Sequence, residues 1–331
     1  DASWPIQARR PTVAARRAGS IRFIPGKLPL AREPALVPHG EGLSGASKVR
    51  RGILTPMKIW CNADLTPNAI EVLRAGVAPD ELVLSDQRTG NLDAAVAGAE
   101  FFEADIAFGQ PDPAQAIASE NLKWVHLTSA GYTRYDNDEV RAAFQARGAQ
   151  MTNSSSVYDE PCAQHVLAFM LALARQLPGC WADQSGPRSW SYAAHRPQTR
   201  ILQGDTVLIL GYGAIGKRLA ELLAPFGLNV VAVRRTVRGD EGVPTYPLAS
   251  LPDLLPQTDH IVNVLPANPS TDGLVSREFL ALAKAGAWFY NVGRGTSVDQ
   301  SALADALSSG HLGAAYLDVT DPEPLPAEHP L

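Results

Sequence analysis

The 331-residue chain is 45% hydrophobic and 19% charged, the balance of an ordinary globular protein with room for two domains. A net charge of −5 gives no general attraction to nucleic acid, and no uninterrupted apolar run reaches the length of a membrane span. Three cysteines, Cys61, Cys162 and Cys180, show neither metal-like nor disulfide-like spacing. They indicate a reducing compartment, so the cytoplasm is expected and a metal is not.

The charge is unevenly spread. Residues 1–56 carry ten Lys and Arg against three Asp and Glu, are rich in Arg, Pro and Ala, and contain no methionine. An Arg-rich, acid-poor leader can be an organelle transit peptide. The preferred reading is sequence translated ahead of the true initiator, Met57. Under either reading residues 1–56 are expected to be disordered and outside the fold.

Residues 57–155 alternate strand-like and helix-like segments and form one α/β domain. Lys58–Cys61 is the first strand, and Thr66 with Pro67 is an N-cap and first helical residue for Asn68–Arg74. Ala104–Phe108 reads as a strand ending at Gly109-Gln110, and Leu122–Leu127 as another that runs into Thr128–Thr133. Ligands of open α/β sheets gather beyond the carboxyl ends of strands. Small residues at Ser129, Ala130 and Gly131 would let backbone N–H groups reach a carboxylate there. Gln150–Asn153 closes this domain as a further strand.

A long helix is predicted over Asp159–Leu177, with Pro161 in its first turn and a broad apolar face from Ala163 to Leu177. Cys162 and His165 stand three apart on it, but two ligands do not make a zinc site. Both are read as packing residues, His165 as a hydrogen-bonded structural one. Trp181–Arg200 is predicted to be a connection whose Trp and Tyr side chains suit a subunit contact.

The centre of the chain is Thr206–Arg235. An apolar strand, Val207–Leu210, leads into Gly211-Tyr212-Gly213-Ala214-Ile215-Gly216, then a helix with Ile215, Leu219, Leu222, Leu223 and Phe226 along one face. Gly227 suits its C-terminus, and a second apolar strand, Val230–Val233, completes a β-α-β unit. In that setting the first glycine makes a tight turn, the second admits a pyrophosphate, and the third lets helix and strand pack closely. The free N–H groups of the helix start receive the phosphate charge. An NAD site usually has an acid at the end of the second strand, whereas here Arg234, Arg235 and Thr236 follow it. Guanidiniums at that place would attract a 2′-phosphate, with no carboxylate to repel it. NADP(H) is therefore expected ahead of NAD(H), with a solvated basic turn as the plainer alternative.

Strand-like runs recur at His260–Leu265, Ala287–Val292 and Gly313–Val319, with helices at Arg277–Lys284 and Gln300–Ser308. The whole is an α/β protein of doubly wound parallel sheets, with two Rossmann-like or flavodoxin-like domains. Residues 156–331 form the dinucleotide-binding one.

The segments NVGRGTSVD, LDVTDPEP and YGAIG, together with TNSSSVYDEPCAQHVLAFMLALAR, resemble the D-isomer-specific 2-hydroxyacid dehydrogenases over about residues 57–331. The resemblance implies that Arg294 binds the carboxylate and carbonyl of a 2-oxo acid. Glu323 would pair with a catalytic histidine, Asp318 would contact the nicotinamide carboxamide, and backbone at Ala130 and Gly131 would hold the substrate carboxylate. Leu265, Pro266, Thr271, Val292 and Gly293 fall in the cofactor-lining strand ends. A homodimer and a small substrate such as glyoxylate or hydroxypyruvate are implied as well.

Two departures qualify the likeness. Arg234 stands where the family has an acid. The family's histidine, some twenty residues beyond the glutamate, falls past Leu331, so the chain reads as incomplete at its C-terminal end and nearly inactive as it stands. The alternatives are an NAD-linked dehydrogenase of another D-2-hydroxy acid, a formate- or phosphite-oxidising relative, or a non-catalytic nucleotide sensor of the corepressor kind.

Overall fold

A computed structural model of the protein describes residues 56–90 and 94–331; the expectations for the N-terminal segment before Pro56 lie outside them. The first sheet holds β1 (Lys58–Ala63), β2 (Glu81–Thr89), β3 (Ile106–Gly109), β4 (Trp124–Leu127) and β5 (Gln150–Asn153). Helices α1 (Pro67–Val77), α2 (Pro113–Ala118) and α3 (Asp138–Arg147) connect them. All pairings are parallel and the strand order is β2-β1-β3-β4-β5, the flavodoxin-like arrangement. Its core is built on Trp60, fully buried with its ring edge-on to Phe101 at 4.8 Å.

Helices α4 (Asp159–Ala174), α5 (Leu177–Ser185) and α6 (Tyr192–His195) lead to the second sheet. This contains β6 (Thr206–Leu210), β7 (Asn229–Val233), β8 (Thr245–Tyr246), β9 (His260–Asn263), β10 (Ala287–Asn291) and β11 (Leu312–Leu317). Its order, β11-β10-β9-β6-β7-β8, is again all parallel, and it is the order of a dinucleotide-binding Rossmann sheet. The remaining helices are α7 (Ala214–Leu223), α8 (Leu251–Leu254), α9 (Arg277–Leu282) and α10 (Gln300–Ser308).

The apolar run of β6 has a direct cause. Leu208 and Leu210 pack with Phe279, Leu280, Ala302 and Leu303 from α9 and α10, while Val207 and Ile209 pack with Val166, Met170, Leu219 and Leu223 from α4 and α7. Successive side chains of a strand point to opposite faces, so a strand covered on both sides must be apolar throughout.

Three expectations need correction. The helix predicted to run to Leu177 stops at Ala174, Gln176 turns into the left-handed region at φ 56°, and α5 begins with Pro178 in its first turn. Proline has no N–H to continue a helix but suits a helix start, which is why the chain breaks there. The connection expected over Trp181–Arg200 is accordingly part helical. His165 is not buried in the core, its side chain being 46% exposed, although it is hydrogen-bonded as expected, to the Tyr316 hydroxyl. Among the described residues, no helix is long and apolar enough to cross a membrane.

Candidate active site

The glycine turn lies between β6 and α7, at the point where the strand order of the second sheet reverses. Gly211 has φ +96°, a conformation that side chains with a Cβ rarely adopt. A Cβ on Gly216 would stand 2.5 Å from the Gly211 carbonyl oxygen and 3.2 Å from Ile209 Cγ2, so helix and strand approach only because the residue is glycine. Gly213 is different: a Cβ there would meet nothing within 4 Å. As N-cap of α7 it offers no side chain to the helix amides, so the helix start faces open space. Tyr212 is buried, Ala214 exposed and Ile215 half-buried. This shape fits a pyrophosphate placed over Gly213 and the first turn of α7.

At the end of β7 the structure adds a residue that the sequence reading did not place. Arg234 Nη1 lies 3.3 Å from Glu241 Oε1, with the Glu241 side chain almost wholly buried. The same carboxylate accepts from the Arg238 amide at 2.7 Å and from the Gly239 amide at 2.8 Å. These amides first, and the Arg234 charge after them, hold the Glu241 carboxyl below its usual range. The expectation of a turn without a carboxylate is thus corrected: Arg234 has an acid beside it, while Arg235 and Thr236 stay exposed.

The other strand ends follow in order across the sheet. Beyond β9, Leu265 is buried and Pro266 exposed. Thr271, also buried, donates its hydroxyl to the Pro266 carbonyl at 2.6 Å, so it shapes this turn from within. Beyond β10, Val292 and Gly293 are buried, and a Cβ on Gly293 would press on the Leu265 backbone at 2.7 Å. Asn263 Nδ2 donates to Asn291 Oδ1 at 3.0 Å and to Ser297 Oγ at 2.7 Å, tying the two strand ends together. The Arg294 carbonyl accepts from Ser297 Oγ at 2.6 Å and from Asn291 Nδ2 at 3.0 Å, which fixes the backbone under its side chain.

Arg294 meets the first sheet at Gly131. Its Nη1 donates to the Gly293 carbonyl at 2.6 Å, and its guanidinium occupies the space a Cβ on Gly131 would need. The loop carrying Gly131 is held through its carbonyls: Thr128 O accepts from Tyr158 Oη at 2.9 Å, Ser129 O from the Ser154 amide at 3.1 Å, Ala130 O from Asn153 Nδ2 at 2.7 Å, and Gly131 O from Ser129 Oγ at 2.6 Å. Gln110 Nε2 donates to Ser129 Oγ at 3.0 Å and braces the loop from β3. Gln110 was noted in the sequence only as part of the turn that ends β3; Asn153 and Tyr158 were not marked as site residues, and only the place of Asn153 at the end of β5 could have pointed to it.

Beyond β11, Asp318 is half-exposed, and Tyr316 Oη donates to its Oδ1 at 3.2 Å. Glu323 is exposed and accepts from the Thr320 amide at 3.4 Å. The loop between them packs tightly on the Arg294 turn, since a Cβ on Gly295 would overlap the Thr320 and Asp321 backbone. Among the described residues no histidine is bonded to Glu323; His329 Nδ1 instead accepts from the Leu331 amide at 3.2 Å.

The sequence profile of the D-isomer specific 2-hydroxyacid dehydrogenase, NAD binding domain, matches residues 167–331. D-3-phosphoglycerate dehydrogenase of Mycobacterium tuberculosis is 39% identical over 209 residues, which are 62% of this chain and 38% of that protein. The chain therefore spans well under half the length of this relative. Glyoxylate/hydroxypyruvate reductase B of Shigella sonnei is 32% identical over 242 residues, covering 70% of this chain and 72% of the relative. Among solved structures, a D-isomer specific 2-hydroxyacid dehydrogenase from Xanthobacter autotrophicus, in complex with NADPH and MES, is 29% identical with a TM-score of 0.68, covering 84% of this chain and 85% of that one. With two doubly wound sheets, a glycine turn at the switch point and these relatives, the chain belongs to the D-isomer specific 2-hydroxyacid dehydrogenase family.

Proposed function

We propose that the protein reduces a small 2-oxo acid, of the glyoxylate or hydroxypyruvate kind, with NADP(H). Residues 57–155 serve as the substrate domain and 156–331 as the dinucleotide domain. The observation that carries this reading is the meeting of Gly131 with the Arg294 guanidinium. It sets a planar fork of donors against a loop of small residues whose carbonyls are all engaged elsewhere. Such a fork suits a carboxylate and its neighbouring carbonyl, with backbone N–H groups of Ala130 and Gly131 completing the anion site.

The dinucleotide, when bound, supplies the hydride. The chain's residues do the rest. Gly211, Gly213 and the first turn of α7 hold the pyrophosphate, and Leu265, Pro266, Val292 and Gly293 line the path of the nicotinamide half. Asp318 accepts from the carboxamide. Arg294 binds the 2-oxo acid and stabilises charge as it gathers on the carbonyl oxygen. The proton for that oxygen comes from a histidine held by Glu323, a role that none of the described histidines fills.

Arg234, Arg235 and Thr236 support the 2′-phosphate, and the Xanthobacter relative bound to NADPH agrees with that choice. The second reading, NAD(H), draws on Glu241, whose carboxylate shares the charge of Arg234. A homodimer is supported by the strongly exposed Trp181 and Trp190, and a cytoplasmic location by the free thiols Cys61, Cys162 and Cys180.

The test is a fluorescence titration of the full chain with NADPH and NADH, followed by titration of the loaded protein with glyoxylate and hydroxypyruvate. NADPH binding at least about tenfold tighter, with binding of either acid that Arg294→Ala abolishes, supports the reading. Equal binding of both cofactors transfers the proposal to NAD(H), and binding of neither rejects it.

A further inference from the structure

Tyr316, on β11, lies at the centre of a small polar cluster beside the nicotinamide end of the site. Its ring stacks on Phe169 of α4, with centroids 3.6 Å apart, and His165, one turn earlier, meets both rings edge-on at 5.2 and 5.3 Å. Tyr316 Oη bonds His165 Nε2 and also Asp318 Oδ1, while His165 Nε2 itself stands 3.6 Å from that same carboxylate oxygen.

A phenol has one proton and can donate it once. The shorter route to a fully satisfied cluster runs in one direction: His165 Nε2–H donates to Tyr316 Oη, and Tyr316 donates to Asp318 Oδ1. Burial first, and the Asp318 charge next, push the Tyr316 hydroxyl above its ordinary range, so it remains a donor. Cys162, one turn before His165, senses the same carboxylate; burial and then Asp318 push its thiol up, and it stays protonated beside the cluster. One oxygen of Asp318 is thereby engaged, and the other is left to the site.

We infer that Tyr316 and His165 are positioning residues that hold one oxygen of Asp318 and so present the other to the carboxamide of the nicotinamide ring. The inference rests on the dinucleotide reading given above and goes beyond it by assigning the support of Asp318 to a tyrosine on β11 and a histidine on α4. Neither residue touches the reacting atoms. The stack on Phe169 fixes the phenol from one side and keeps its hydroxyl within reach of Asp318.

The test compares ligands that differ only in the nicotinamide. Full-chain protein and the variants Tyr316→Phe, Asp318→Asn and the double variant are titrated with NADPH and NADH, and with ADP-ribose and its 2′-phosphate, which lack the ring. Tyr316→Phe preserves the stacked ring, so its fold is retained. The expected result is an affinity for the intact dinucleotide about fivefold weaker, unchanged affinity for the ADP-ribose ligands, and a double variant no weaker than Asp318→Asn alone. His165→Ala should show a smaller loss in the same direction. A Tyr316→Phe variant that binds every ligand like wild type overturns the inference, as does one that loses both ligand classes equally or combines additively with Asp318→Asn. Wild-type protein that binds no ligand at all overturns the dinucleotide reading itself and the inference with it.

Discussion

The guanidinium of Arg294 fills the space directly above Gly131. Arg294 could swing away from an added methyl group, but only by giving up its 2.6 Å bond to the Gly293 carbonyl. Gly131→Ala is therefore expected to weaken binding of a 2-oxo acid to the dinucleotide-loaded protein at least tenfold, about 1.4 kcal/mol, with the thermal midpoint unchanged. A ligand titration beside a melting curve decides it. Wild-type affinity in this variant would show that the juxtaposition has no bearing on substrate.

Two glycines of the same turn should separate stability from binding. Gly216→Ala forces α7 away from the Gly211 carbonyl and Ile209, an overpacking expected to cost about 1–3 kcal/mol in denaturant unfolding. Gly213→Ala adds a methyl group where the protein has nothing, so unfolding should be unaffected. Its dinucleotide affinity should nevertheless fall by at least tenfold, roughly 1.4 kcal/mol, because the methyl group lies on the pyrophosphate's approach. Equal behaviour of the two variants would contradict this division of roles.

Glu241 lies between the two cofactor readings. Glu241→Gln keeps an acceptor for the Arg238 and Gly239 amides while removing the charge that Arg234 faces. The ratio of NADPH to NADH affinity is expected to rise roughly a few-fold, because the Arg234 charge is then no longer shared with a carboxylate, and Arg234→Asp should reverse the preference. A ratio that neither substitution moves would mean that this turn does not touch the 2′ position.

His260 should set part of the acid sensitivity. It is fully buried on β9, with Nε2 3.1 Å from Asp205 Oδ2 and Nδ1 3.2 Å from Tyr290 Oη; Asp259 and Arg200 also act on it. Burial pushes its pKa below the ordinary 6.5, outweighing the raising effect of Asp205. Below pH 6.5 the unfolded chain takes up a proton that the folded chain resists, so stability falls as pH drops through that value and is level above it. His260→Gln should show a shallower decline in denaturant midpoint between pH 7 and 5. Parallel declines in the two proteins would exclude His260 as the cause.

What could be read from the sequence was what local burial writes into it. β6 and β10 lie inside a sheet covered on both faces, so each appears as an almost unbroken apolar run, while β9 shows only Ile261 and Val262 between a buried histidine and a buried asparagine; the glycines of the turn are dictated by backbone geometry within six residues. Two of the four edge strands leave no such record. β2 pairs on one side only and turns polar after Leu84, and β8 is two residues long, so neither carries a pattern.

The site residues divide in the same way. Arg294, Asp318 and the Gly211–Gly216 turn could be marked because each ends a strand in a short motif. That Glu241 folds back onto Arg234 was decided by the shape of one seven-residue loop, whereas that Gly131 lies under Arg294 and that Tyr316 joins His165 to Asp318 depended on how strands and helices distant in sequence come to lie side by side. A sequence records the burial of each residue in its own periodicity. Which side chain faces which across a cleft is set only when the sheets are assembled, because that choice depends on backbone positions hundreds of bonds apart.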